Sequence, residues 1–518
     1  MSIVTLPFFI FTAVSMIVYW ICHSKIRWAV LLCASVLFVL IGTRWNFMLY
    51  GIFAAMTLAV WGVAIKLKHM KSEKQKTFLT GCTIIVLLLV LVAYKENVFF
   101  VEGEHVFAHI FRLKTYWELP EWVAPFGISY FTLINISYLL DVRWGTIAEP
   151  QENPLKMLAF AGYFPHMTSG PFSRYNDMKD KLFGEVSWSL ERFQFGLQRF
   201  FWGLFKKLVI AERLAAVVGT IYDTKPLPLQ EDLYVGLLVL LGAFAYTALL
   251  YMDFSGCMDI VIGISEMFGI PLAENFSRPF SATTLSEIWR RWHITLGVWL
   301  KDYVLYPTLK SDWLNKIRQS CKNRFGKKAA KDIPTYIGML IVWFCVGFWH
   351  GGTWKFVFSS GLFFFIMIVG GLILKPQLEM MNKTLHINTQ CYSWVLFQRT
   401  RSFCLFSLAV SFGRRESLFD GFAAWKTLFT QWNPWVLFDD TLFELGLDRK
   451  DFDVMAAGLI VVLIVSMLQG KYGSVRQLIA KQNLAFRWMV YLALFFAVLV
   501  LGCYGSGYNM ADFIYGGF

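Results

Sequence analysis

Of the eight histidines in the chain, two stand among aromatic and apolar neighbours beside a predicted membrane span. They are His293, in Ser286-Glu287-Ile288-Trp289-Arg290-Arg291-Trp292-His293-Ile294-Thr295-Leu296, and His350, in Val346-Gly347-Phe348-Trp349-His350-Gly351-Gly352-Thr353-Trp354. An ionisable group at membrane depth costs about 3 kcal/mol on insertion scales, so such a histidine is a functional candidate by default. A histidine can equally do no more than hydrogen-bond a carbonyl inside a helix bundle. For His350 the setting favours chemistry. It closes an apolar run, Ile341 to Trp349, and precedes Gly351-Gly352, where missing side chains allow close approach by a ligand or another backbone. A desolvated imidazole stays neutral and suits a general base that takes a proton from a hydroxyl, as acyl transfer to an alcohol requires.

Around His293 the segment Arg290-Arg291 to Lys301-Asp302 mixes charges with Trp289, Trp292 and Trp299, the pattern of an amphipathic helix at a membrane interface. Its guanidinium groups can hold phosphates of a cytoplasmic cofactor or simply anchor to headgroups. Asp253, Asp259 and Glu266 lie in apolar sequence and must face protein or water; helix-to-helix bonding is the expectation for Asp259 and Glu266. His105 and His109 have the i, i+4 spacing of a metal pair but lack a third ligand at a recognisable spacing, so no metal site is expected. Walker, G-x-G-x-x-G and G-x-S-x-G motifs are absent, which leaves nucleotide hydrolysis and a serine-hydrolase site unsupported.

The elements that must position these residues are membrane helices. The chain has 518 residues, 57% hydrophobic and 16% charged, against about 25% charged in soluble proteins. An all-α polytopic protein follows, and a span needs about 20 apolar residues, so roughly 11–13 transmembrane or re-entrant helices are expected. The net charge of +13 is assigned to topology and not to nucleic acid. Nine scattered cysteines without C-x-x-C spacing imply neither a zinc site nor a disulfide framework. The run Ile3 to Cys22 lacks a basic n-region and a cleavage site and reads as a retained first span.

Apolar runs predict spans near 5–22, 28–42, 46–65, 78–94, 123–141, 199–220, 233–265, 335–349, 354–374, 397–412, 453–469 and 487–504. Residues 143–198 are too polar for a clean span and suggest short or re-entrant helices, tolerated at membrane depth only when buried or lining water. The basic stretch 66–76 and a basic loop at 310–331 should be cytoplasmic, and the acidic stretch 95–122 external, which puts both termini outside. The long stretch 413–452 carries Trp425, Trp432 and Trp435, suited to contact with a partner or sugar and equally to interfacial anchoring. The expected organisation is one polytopic domain over 1–518, with N-terminal helices to 142, a core over 143–374 and C-terminal helices over 375–518.

In their order, these motifs resemble the membrane-bound O-acyltransferase family, most closely its bacterial polysaccharide branch. The resemblance runs from Gly127-Ile128-Ser129-Tyr130-Phe131 and Tyr138-Leu139-Leu140-Asp141 through Phe164-Pro165 and Ser169-Gly170-Pro171-Phe172-Ser173-Arg174-Tyr175. It continues in Asp253-Phe254-Ser255-Gly256, Glu274-Asn275-Phe276, Arg278-Pro279-Phe280, Trp289-Arg290-Arg291-Trp292-His293, Trp299-Leu300-Lys301-Asp302-Tyr303, Trp349-His350-Gly351 and the closing Phe513-Ile514-Tyr515.

The resemblance implies helices around a central tunnel, with His350 as the catalytic histidine and His293 as a second, upstream site near the cytoplasmic entrance. Arg290, Arg291, Trp292, Trp349, Gly351 and Asn275 are the implied donor- or substrate-binding residues. It also implies an acyl donor, acetyl-CoA or an acyl-carrier-protein thioester, and no metal. The implied acceptor is an exported polysaccharide, reached directly or through an extracytoplasmic serine-hydrolase-like partner working with a polysaccharide synthase complex. The implied location is the bacterial cytoplasmic (inner) membrane. Transfer of D-alanine to a teichoic acid is the alternative within the family, and a polysaccharide or lipid transporter the alternative outside it. Many relatives carry another histidine after the Trp-His-Gly motif; here that region reads Ser359-Ser360-Gly361, so no role carries over to it.

Overall fold

The structure is a computed structural model that describes residues 3–96, 123–167, 170–223, 235–415 and 417–504. His105, His109, Ser169, most of the acidic stretch 95–122 and the closing Phe513-Ile514-Tyr515 lie outside the described residues. Among the described residues the architecture is helical throughout, with a single isolated antiparallel bridge between Phe276 and Trp292.

Eight described helices are long and apolar enough to cross a membrane: Ser24–Gly42, Phe47–His69, Glu73–Lys95, Leu237–Met267, Asp312–Trp349, Trp354–Thr384, Arg449–Tyr472 and Leu484–Leu501. In seven of them a third or less of the apolar window is buried in the protein, whereas in Leu237–Met267 two thirds is. The other sequence-predicted spans are also helical. Leu6–Ile21 and Ile128–Arg143 have 16 residues each, Tyr392–Arg414 is more polar, and the 199–220 region divides into Leu190–Leu204, a π-helical turn and Glu212–Asp223.

The chain forms two compact units. Among the described residues, one comprises those up to Leu204 together with Gly256–Glu274; the other comprises Phe205–Ser255 and those from Asn275 onward. Helix Leu237–Met267 contributes to both.

In the first unit the polar region 143–198 forms short helices, Pro154–Ala161, Phe164–Met167 and Tyr175–Leu182, as the sequence predicts. Asn153 starts the first of these by accepting from the N–H groups of Leu155 and Lys156, with Pro154 at a position that needs no donor. Motif pieces far apart in sequence meet here: Tyr130 stacks on Phe172 with ring centroids 5.0 Å apart, and Tyr138 packs edge-on against Tyr175 at 5.2 Å. Helix Leu190–Leu204 crosses the segment from Gly256 at backbone contact. A Cβ on Gly203 would lie 2.6 Å from the Gly256 carbonyl, and one on Gly196 2.7 Å from the Gly263 carbonyl. Small residues at such crossings are how membrane helices approach closely.

In the second unit, one sequence expectation is corrected. The basic stretch 310–331 is not a loop: from Asp312 on it is helical, within Asp312–Trp349, with a break in the backbone at Gly326 (φ 83°, ψ −178°). Lys, Arg and Gln are good helix formers, so a charged run need not unwind. The backbone conformation at Gly326 is one that glycine alone adopts readily.

Candidate functional site

His350 closes helix Asp312–Trp349. Its N–H reaches the Val346 and Gly347 carbonyls at 3.3 and 3.2 Å, and the side chain is 5% exposed. Gly351 (φ 155°) and Gly352 (φ 59°) then turn the chain through conformations that disfavour side chains. The helix end bearing His350 rests directly on the π-helical turn Val357–Leu362. A Cβ on Gly347 would stand 2.6 Å from Val357 Cα, and one on Gly361 would collide with the Trp343 carbonyl. The glycines therefore set the depth of His350 as well as the turn after it. Within this turn Ser359 is fully buried, and neither its hydroxyl nor that of Thr353 has a hydrogen-bond partner among the described residues. Unpaired buried hydroxyls cost about 1–3 kcal/mol each and mark places where a polar ligand or water belongs.

His293 sits between two short helices, Leu285–Arg291 and Ile294–Leu300, in a left-handed conformation (φ 45°, ψ 49°). The single amphipathic helix expected across 290–302 is therefore interrupted at the histidine. The cause lies in tertiary pairing. Residues 275–277 run antiparallel to 291–294, with Ser277 N–H donating to the Arg291 carbonyl at 2.9 Å and Ile294 N–H to the Asn275 carbonyl at 3.0 Å. Helix Leu285–Arg291 begins with Thr284, whose hydroxyl accepts from Glu287 N–H at 3.2 Å, while the Glu287 carboxylate accepts from Thr283 N–H at 2.9 Å.

The imidazole of His293 is 2% exposed. Its Nδ1 lies 3.3 Å from Asn275 Oδ1, and the same oxygen accepts from Thr295 N–H at 3.1 Å and Thr295 Oγ1 at 2.9 Å. The edge of Phe254 meets the ring at 4.8 Å, nearly perpendicular. Burial, and then the charge of nearby His350, push the His293 imidazole well below its ordinary range. The two histidines, 57 positions apart in sequence, are thus within electrostatic reach of one another.

The other sequence-predicted residues divide. Trp292 is buried in an aromatic nest of Tyr251, Phe276, Phe280 and Phe406, with centroid separations of 5.9, 5.1, 6.0 and 5.2 Å. It is a wall of the histidine loop. Asn275 touches His293 itself. Arg291 is occupied by Glu287 and by Ser281 Oγ at 2.5 Å, whereas the Arg290 side chain is exposed. Trp349 and Gly351 flank His350, both partly exposed.

Sequence reasoning missed a buried ionic cluster. On the π-helical turn Phe205–Ala211, Lys207 Nζ pairs with Asp253 at 2.7 Å and Glu212 at 2.8 Å, and Lys206 Nζ donates to Ser255 Oγ at 2.9 Å. Asp253 and Ser255 flank Phe254, the ring against His293, so the cluster holds that wall from both sides. The available signal was Lys206-Lys207 within an apolar run opposite Asp253. In the first unit Arg199 binds Asp259 at 2.9 Å and also Glu274, in keeping with the structural role expected for Asp259. No group of His, Cys, Asp or Glu side chains among the described residues could hold a metal ion.

Comparison with known proteins supplies the class. Residues 148–321 match the model of MBOAT, the membrane-bound O-acyltransferase family. The probable alginate O-acetylase AlgI of Pseudomonas putida is 31% identical over 71% of this chain and 71% of its own length. That of Azotobacter vinelandii is 30% identical over 67% of this chain and 64% of its own length. The peptidoglycan O-acetyltransferase of Helicobacter pylori is 29% identical over 52% of each chain. The chain belongs to the membrane-bound O-acyltransferase family. It is a multi-pass membrane acyltransferase.

Proposed function

We propose that this protein moves an acyl group, acetyl in the first instance, from a cytoplasmic thioester to hydroxyls of an exported polysaccharide, with His350 as the general base. The observation that carries the reading is the buried imidazole of His350 at the end of helix Asp312–Trp349, followed by a segment in which the Thr353 and Ser359 hydroxyls have no hydrogen-bond partner among the described residues. An imidazole nitrogen of His350 takes the proton as the acceptor oxygen attacks the thioester carbonyl. The tetrahedral intermediate then expels the thiolate, which recovers the proton from the imidazolium. The Ser359 and Thr353 hydroxyls are suited to donate to the developing oxyanion or to the acceptor sugar, because neither has another partner among the described residues. Holding thioester and alcohol in line in a dry tunnel supplies several kcal/mol by positioning and limits hydrolysis.

The donor in this reading is acetyl-CoA, its phosphates met by exposed Arg290, with Arg291 tied to Glu287 and Ser281 in support. Trp349 and Gly351 border the transfer site from the His350 side. The whole chain works as one domain in the bacterial cytoplasmic membrane, with the basic segments 66–76 and 310–331 inside and both termini outside. Delivery to the glycan proceeds directly or through an extracytoplasmic serine-hydrolase-like partner associated with the synthase.

The test is purified protein incubated with radiolabelled acetyl-CoA and a polysaccharide acceptor. His350→Ala should insert and accumulate normally yet lose acyl transfer. Full retained activity would reject the role of His350. Activity with a D-alanyl carrier-protein thioester and none with acetyl-CoA would move the protein to the D-alanylating branch.

A further inference from the structure

We propose that Asn275 and Thr295 are positioning residues that lock His293 in the tautomer with its proton on Nδ1, leaving Nε2 as the lone-pair nitrogen that His293 presents during acyl transfer. The inference rests on the proposed catalytic role of His350 and goes beyond it by giving His293 a fixed tautomer and assigning Asn275 away from substrate contact.

The geometry allows one assignment. Thr295 N–H can only donate, and it points at Asn275 Oδ1 from 3.1 Å, so this atom of Asn275 is the carbonyl oxygen. Thr295 Oγ1 lies 2.9 Å from the same oxygen and must donate as well. His293 Nδ1, at 3.3 Å, meets an acceptor that has no hydrogen to offer, so Nδ1 carries the proton. In the neutral ring Nε2 is then unprotonated.

The lock is built into the backbone as well. Asn275 is pinned across the antiparallel pairing by its own carbonyl, which accepts from Ile294 N–H. The left-handed conformation of His293 turns the chain so that residues 293 and 295 both reach back to one oxygen. That conformation is uncommon for a side-chain-bearing residue and persists because the surrounding hydrogen bonds over-determine it.

Fixing one tautomer matters because a histidine holding the wrong one presents N–H where a lone pair is needed. Of the groups around His293, Phe254 contributes a ring edge, Asp253 beside it is turned to Lys207, and the charge of His350 acts on the ring.

The experiment compares kcat and KM for acetyl-CoA in Thr295→Val, Thr295→Ser and Asn275→Asp, each purified as a monodisperse protein, beside His350→Ala. Thr295→Val keeps the branched shape and the backbone N–H but removes one of the donors that hold the oxygen. We expect about a tenfold fall in kcat with KM unchanged, and recovery to near the parent value in Thr295→Ser. Asn275→Asp keeps the acceptor and adds a charge that favours the imidazolium, so the acid limb of the rate–pH profile should move to higher pH. Unchanged kcat in Thr295→Val, equal loss in Thr295→Ser, or an unmoved acid limb in Asn275→Asp would overturn the lock. Activity surviving in His350→Ala would instead overturn the catalytic reading, whatever the other variants do.

Discussion

Replacing Lys207 with Met isolates the buried ionic cluster that holds the wall of the histidine site. Lys207 Nζ lies 2.7 Å from Asp253 and 2.8 Å from Glu212, and all three side chains are almost wholly shielded from solvent. At an effective dielectric of about 20, one such contact is worth roughly 6 kcal/mol of Coulomb attraction. Desolvation of the ions offsets most of that gain, so the intact cluster adds little net stability. Losing the lysine is different, because two carboxylates then stay buried without their cation, and breaking a buried pair in this way costs about 3–5 kcal/mol.

The cost should appear as a drop of several degrees in the apparent melting temperature of detergent-solubilised protein, followed by fluorescence-detected size exclusion. Acyl transfer should fall as well, since Asp253 and Ser255 brace Phe254 against His293. Asp253→Asn should be milder, because Lys207 keeps Glu212. The double variant Lys207→Met/Asp253→Leu should recover part of the loss, as removal of both partners leaves fewer orphaned charges. A Lys207→Met protein that melts and turns over like the parent would refute the reasoning.

Two further outcomes follow from packing and from burial. Gly347→Val should cost at least about 1–3 kcal/mol and impair acyl transfer, because its side chain would overlap Val357 and lift His350 from its seat, whereas Gly370→Ala, with open space around it, should leave accumulation and activity intact. Burial lowers the His166 pKa from 6.5 to about 4, so between those values the unfolded chain binds a proton that the folded form refuses. Stability should therefore decline as pH falls from about 6.5 to 4, by up to about 3 kcal/mol, and melting curves of His166→Gln should be flatter across that range.

How much of this was legible in the sequence differs from element to element. The helices over 47–69, 237–267 and 449–472 were readable because a span long enough to cross a bilayer leaves a long, predominantly apolar run. The helical state of 312–325 was not, because hydropathy reports where a segment lies and not how its backbone hydrogen-bonds; Lys and Arg belong equally to a cytoplasmic loop and to an exposed helix. His350 was identifiable from its place at the end of an apolar run before two glycines. The amphipathic pattern around His293 pointed to one continuous helix, and the break there comes from pairing with residues 275–277, a partner nearly twenty positions away.

By itself, then, the sequence determined that lipid surrounds this chain, that two histidines lie among apolar neighbours, and which family its ordered motifs match, since composition and local order are properties of the chain alone. Tertiary structure decided which groups face each imidazole: Asn275 and Thr295 on His293, a cluster of lysines and carboxylates behind Phe254, and His350 close enough for its charge to be felt. Hydrogen-bond partners and electrostatic neighbours depend on distances across the fold, and those distances exist only once the helices have packed.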